Sequence, residues 1–202
     1  MALVVVGGHS RNVGKTSVVA GIIAALPERE WIAMKITQYG HGVCSRNGKL
    51  CHCATADHSW AISEEKDPGG KSDTSRLLAA GAAHVYWVRT QQGHLDQAIL
   101  TVRRRLAGVA NAILESNSVI NFIQPDLYLT ILDPSTADFK ASALRYLDRA
   151  DAVILHNSSG EPAWHGVSMK TIADKPTFAV DPPTYLNAEI IEFLRMKLRT
   201  AS

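Results

Sequence analysis

The chain has 202 residues, 46% of them hydrophobic, with a formal net charge of +2. That is enough apolar material for one α/β domain with a sizeable core, expected to span residues 1–202, and too much for a disordered chain. The longest basic cluster, Arg103-Arg104-Arg105, lies on a helical pattern and reads as a solvated face, which argues against a nucleic-acid partner.

No apolar run approaches the roughly 18 residues of a membrane span. The chain enters a strand at once, without the basic flank and cleavage site of a signal peptide, so a cytoplasmic location without membrane contact is expected. Leu3–Val6 is a short β-branched run that suits a buried parallel strand. It leads into Gly7-Gly8-His9-Ser10-Arg11-Asn12-Val13-Gly14-Lys15-Thr16-Ser17, and a helical pattern follows over 18–26. A glycine-bounded turn between strand and helix can wrap the main-chain amides of Gly8, Asn12, Val13, Gly14, Lys15, Thr16 and Ser17 around phosphate oxygens, aided by the helix N-terminus. Lys15 would reach the β- and γ-phosphates and the Thr16 hydroxyl would ligate Mg²⁺. The spacing departs from the common G-x-x-x-x-G-K-[ST] pattern. Five residues separate Gly8 from Gly14, and His9 stands where the first glycine usually is.

Residues 31–36 read as the second strand, ending near Lys35, which could meet a phosphate or an anionic substrate. Periodicity then disappears over about 40–72, an insert that holds Cys44, Cys51, Cys53 and His58. Three thiols and an imidazole could complete a tetrahedral Zn²⁺ shell; the alternative is three reduced thiols in an irregular loop. Residues 64–71 are polar and glycine-containing, as a lid would be. A helix from Ser72 to Ala82 could be capped by Ser72 or Asp73, or else Asp73 and Arg76 could stand beside a second ligand.

A third strand is expected over 83–89 and a helix over 95–106. The fourth strand ends Ile113-Leu114-Glu115. A carboxylate there is costly to bury unpaired, and in P-loop enzymes such a position orients Mg²⁺ or its water. Glu115 is therefore the second catalytic candidate beside Lys15, with Ser116 and Asn117 as near-site candidates. Strands over 126–133, 151–157 and 177–181 follow, with helices over 140–149 and 187–198. Asn157 stands at a strand end where it could contact a base or close an Asx turn. The alternation of strands and helices predicts an α/β fold: a mostly parallel central sheet with helices on both faces and the ligand over the strands' C-terminal edge.

On these residues the chain resembles the P-loop NTPases of the dethiobiotin synthetase and nitrogenase-iron-protein type. Within that group it is most similar to the molybdopterin-guanine dinucleotide biosynthesis protein B family. The Gly8–Gly14 gap before Lys15-Thr16 is similar to the dethiobiotin synthetase loop. Lys35, Asp73 with Arg76 and Ala80-Gly81-Ala82, and Ile113-Leu114-Glu115 are similar in order to the molybdopterin protein family. Ser116 replaces that family's usual glycine. The cysteine insert fits neither pattern, and His9 and Arg11 lie where dimer-activated members carry an extra lysine.

The resemblance implies Mg²⁺-dependent binding and slow hydrolysis of GTP or ATP in support of cofactor biosynthesis, with a biosynthetic protein partner and a homodimer. Two other functions are compatible with the residues. One is a metal-handling GTPase using the Cys/His insert. The other is an ATP-dependent ligase or kinase, with Lys35 and Asp73 holding the acceptor.

Overall fold

The computed structural model describes residues 2–39 and 59–199. Eight strands form one sheet: β1 (Ala2–Gly8), β2 (Ile32–Tyr39), β3 (Trp60–Glu64), β4 (His84–Gln91), β5 (Asn111–Glu115), β6 (Leu127–Leu132), β7 (Ala152–His156) and β8 (Thr177–Val180). Their order across the sheet is β3-β4-β2-β5-β1-β6-β7-β8. All neighbours are parallel except β3, which runs antiparallel to β4. This is the expected α/β architecture.

The period of two in β1 sends successive side chains to opposite faces. Val4 and Val6 join one apolar layer with Val18, Val19, Ile22 and Ile23 of α1 (Lys15–Ala25) and Leu77 of α2 (Asp73–Ala79). Leu194 and Leu198 of α5 (Ala188–Arg199) close the same layer. Leu3 and Val5 join the opposite layer, with Leu95, Ala98 and Val102 of α3 (Leu95–Leu106). With both faces covered, β1 is buried along its whole length and serves as the rigid rail that ends at the glycine turn.

Two expectations change. Within the stretch expected to lack regular structure, Trp60–Glu64 forms an edge strand whose residues alternate between half-buried and exposed. It is only five residues long and lies at the sheet edge, and the pairing with β4 makes it a strand. The helix expected over 140–149 is α4 (Ala141–Arg145), followed by a short 3₁₀ turn, Leu147–Arg149. Tyr146 packs into the α3 layer, whereas Leu147 packs with Leu132, Val153 and Trp164. The helix thus ends where consecutive side chains enter separate clusters.

The remaining elements fall within a few residues of their expected limits. Cys44, Cys51, Cys53 and His58 lie outside the described residues. Among the described residues no helix is long and apolar enough to cross a membrane.

Trp31 is 1% exposed and donates its indole N–H to Leu26 O at 3.1 Å, pinning the end of α1 to the start of β2. Trp31→Ala should cost about 3–5 kcal/mol in urea unfolding. Leu100→Ala, at a position 58% exposed, should change stability by less than about 0.5 kcal/mol.

Candidate functional site

The turn between β1 and α1 is held open by backbone geometry. Asn12 and Gly14 both take left-handed φ values, 59° and 91°. Asparagine tolerates that region, and glycine occupies it without strain. A Cβ on Gly14 would also run into the Tyr185 ring, which packs against the turn from the loop after β8. At the other end of the turn, Asn117 clamps Gly8. Its Oδ1 accepts the Gly8 amide at 2.8 Å and its Nδ2 donates to Gly8 O at 2.9 Å.

Lys15, the first residue of α1, folds back over the turn and donates to Ser10 O at 2.6 Å. Burial, then the charge of Lys140, lowers its pKa to about 8. A desolvated ammonium resting on a backbone carbonyl is ready to exchange that weak partner for an anion.

Beside it lies a chain of charged contacts. Thr16 donates its hydroxyl to Glu115 Oε2 at 2.8 Å. Lys35 Nζ lies 2.6 Å from Glu115 Oε1, 2.7 Å from Asp73 Oδ2 and 3.1 Å from Thr16 Oγ1. Residues 35 and 115 are register partners on adjacent parallel strands, which is why the ammonium meets the carboxylate. Burial alone would lower the Lys35 pKa, but Glu115 and Asp73 together outweigh it and hold it above the ordinary lysine value.

The Glu115 side chain is 6% exposed, and without Lys35 it would be a buried, unpaired charge. The Thr16, Glu115 and Asp73 oxygens thus already gather around a cation. They are hard donors of the kind Mg²⁺ takes, so these residues fit that ion.

Asp73 opens α2, whose N-cap is Ser72: its Oγ accepts the Ser75 amide at 2.9 Å. Arg76 donates to the Ser17 hydroxyl at 3.0 Å and so joins α2 to α1. The segment over 64–71, expected as a lid, is tied down at Glu65. That carboxylate accepts hydrogen bonds from the hydroxyls of Thr74, Ser72 and Ser75 and from the Lys66 and Asp67 amides. These bonds, Thr74 first, lower the Glu65 pKa to about 2 against the opposing effect of burial. Asn157, at the end of β7, closes no Asx turn; its Nδ2 donates across to Asp181 Oδ2 at 2.8 Å.

The structure brings together Gly8, Asn12, Val13, Gly14, Lys15, Thr16, Ser17, Lys35, Asp73 and Glu115. Asn157 stands further along the same strand edge, toward β8. Three contributors escaped the sequence reading: Lys140, Asp138 and Tyr185. Each comes from a loop after β6 or β8 whose path depends on tertiary packing, and no motif marks it. Apart from the Thr16, Glu115 and Asp73 oxygens, no metal centre suggests itself: among the described residues no group of three or more His, Cys, Asp or Glu is placed to hold a metal.

No family model matches the chain, and a comparison with curated proteins finds no significant relative. Solved structures do match. HypB from Helicobacter pylori in complex with nickel is 14% identical with a TM-score of 0.53, over 99% of this chain and 88% of that one. A MobB protein homolog from Bacillus stearothermophilus is 15% identical with a TM-score of 0.46, over 99% of each chain. LpxK from Aquifex aeolicus in complex with ATP is 18% identical with a TM-score of 0.47, over 89% of this chain; the match spans 53% of the LpxK chain, about half its length. The sheet order together with the HypB match establishes a P-loop NTPase fold.

Removing the ammonium should expose the cost of the buried carboxylate. Lys35→Met is expected to destabilise the protein by about 3–5 kcal/mol at pH 7, with much of the loss recovered in Lys35→Met/Glu115→Gln, both read by urea unfolding.

A second expectation concerns His9. Burial, then the charge of Lys15, pushes its imidazole down to about 4 from 6.5. The unfolded chain therefore binds more protons than the folded one between those values. Stability should fall as pH drops through that window, by up to about 3 kcal/mol. Urea midpoints at pH 7 and pH 5 should differ more for the wild type than for His9→Gln.

Proposed function

We propose that the chain binds a nucleoside triphosphate with Mg²⁺ in the turn from Gly8 to Ser17 and hydrolyses it slowly, in support of cofactor assembly. The supporting observation is the convergence of Lys15, Thr16, Glu115, Lys35 and Asp73 at the end of β1. The main-chain amides of the turn and the N-terminus of α1 would bind and orient the phosphates, and Lys15 would leave Ser10 O for their oxygens.

The Thr16 hydroxyl and the Glu115 carboxylate would hold Mg²⁺ directly or through its water shell. When bound, the ion neutralises charge between the β- and γ-phosphates. Glu115 would also orient the attacking water. The work is positional and electrostatic, as phosphoryl transfer requires. The molybdopterin-type assignment rests on the order of Lys35, Asp73 with Arg76, and Glu115 along the chain.

A metal-handling GTPase is the second reading. It is favoured by Cys44, Cys51, Cys53 and His58 in the sequence, and by the nickel carried by HypB, whose fold this chain shares. Metal analysis of the purified protein distinguishes the two. A labile, stoichiometric transition metal supports the second reading, and metal-free protein that still binds nucleotide supports the first.

Titration calorimetry with Mg-GTP and Mg-ATP should show binding that Lys15→Ala weakens by about a hundredfold or more. Equal heats for both proteins would contradict the site. The lowered Lys15 pKa adds a signature. At pH 8 about half of these ammoniums lack a proton, and an incoming polyanion raises the pKa again. Binding should therefore take up about half a proton at pH 8 and little at pH 6.5, read from heats in buffers of different ionisation enthalpy.

A further inference from the structure

His9 occupies a glycine position of the phosphate turn yet is completely buried. Its Nε2 accepts the Asp133 amide at 3.1 Å, and its Nδ1 lies 3.2 Å from Asp138 O. A neutral imidazole with its proton on Nδ1 satisfies both contacts. Its main-chain oxygen accepts the Lys140 amide at 2.8 Å. The ring stacks on Phe139 at 5.0 Å and meets Trp164 at 5.1 Å. The next residue, Ser10, donates its hydroxyl to Asp138 Oδ2 at 2.6 Å. All these partners except Trp164 belong to the segment from Asp133 to Lys140 that joins β6 to α4. His9 is thus the post to which that segment is strapped.

The strap fixes the position of Lys140. His9 O holds the Lys140 amide, and the adjacent carbonyl, Ser10 O, holds the Lys15 ammonium. Lys140 is partly buried, and among the described residues no carboxylate lies within ion-pair distance of it. Its electrostatic neighbours are Arg11, Asp138, Glu115 and Lys35. Glu115 and Lys35 mark the Thr16 end of the site, away from the Asn157–Asp181 end. Two partly desolvated ammoniums that repel each other at the mouth of a glycine turn are relieved by an anion carrying several charges.

We propose that Lys140 is a terminal-phosphate ligand, a cation delivered in cis by the β6–α4 strap to the γ-phosphate of a bound nucleoside triphosphate. It would fill the place that an arginine finger or a partner's lysine fills elsewhere. This rests on the reading of Gly8–Ser17 as the phosphate cradle. His9 has a positioning role, and it explains the unusual spacing of the turn: the extra residue gives the strap its anchor.

The test compares Mg-GTP with Mg-GDP, and Mg-ATP with Mg-ADP, by calorimetry on wild type, Lys140→Ala, Lys140→Arg and Lys15→Ala, with hydrolysis rates alongside. Lys140→Ala should lose about tenfold or more in triphosphate affinity and about twofold or less in diphosphate affinity, with hydrolysis down by about tenfold or more. Lys140→Arg should retain most of both. Lys140→Met keeps the aliphatic stem and replaces the alanine variant if urea unfolding shows that alanine loosens the strap. A folded Lys140 variant with the wild-type triphosphate-to-diphosphate ratio, in a protein whose binding still depends on Lys15, overturns this inference alone. A wild type that binds neither nucleotide, or binds as Lys15→Ala does, overturns the cradle reading and this inference with it.

Discussion

A carboxylate buried at the end of a central strand sets the conditions for the whole site. Glu115 ends β5, enclosed by sheet and helices, and its charge must be matched where it stands. The match comes from two directions, Lys35 opposite on β2 and Thr16 at the start of α1, while Asp73 on α2 shares the same ammonium. One polar cluster thereby locks two strands and two helices into a single arrangement. Buried ion pairs commonly stabilise no more than apolar residues of similar volume would. The cluster therefore makes better sense as chemistry than as glue: it gathers the oxygens proposed to hold Mg²⁺ beside the turn proposed to hold phosphate.

That turn is shaped in advance. Left-handed backbone at Asn12 and Gly14, the two-sided Asn117 clamp on Gly8, and the packing of Tyr185 against Gly14 hold it from different sides. Phosphate binding as proposed would then need little rearrangement beyond the side chains of Lys15 and Thr16, and a preorganised site spends less of its interaction energy on ordering. The His9 post extends the same principle to a neighbouring loop. This buried residue of the turn fixes the segment that ends in Lys140.

What could be read from the sequence divides along locality. The strand, turn and first helix lie within one short stretch, so Lys15, Thr16 and the glycines declare themselves. Glu115 was recognisable because an acid at the end of an apolar strand is anomalous by itself. The contact between Lys35 and Glu115 was not recognisable, since it depends on β2 lying beside β5, strands far apart in the chain. The same holds for β3, a strand only through its pairing, and for the helix break at Tyr146, where adjacent side chains enter clusters built from distant parts of the chain. His9 could be flagged as a departure from the usual spacing, but its partners lie more than a hundred residues away. The sequence shows that a position is unusual, and the fold shows what the position serves.

The most direct test is a crystal structure of the protein with Mg²⁺ and a non-hydrolysable triphosphate. The account predicts phosphate oxygens on the amides from Asn12 to Ser17, the Lys15 ammonium moved from Ser10 O to the phosphates, and the Thr16 hydroxyl turned from Glu115 to the metal. A nucleotide bound elsewhere, or a turn in which Lys15 still rests on Ser10 O, would contradict it.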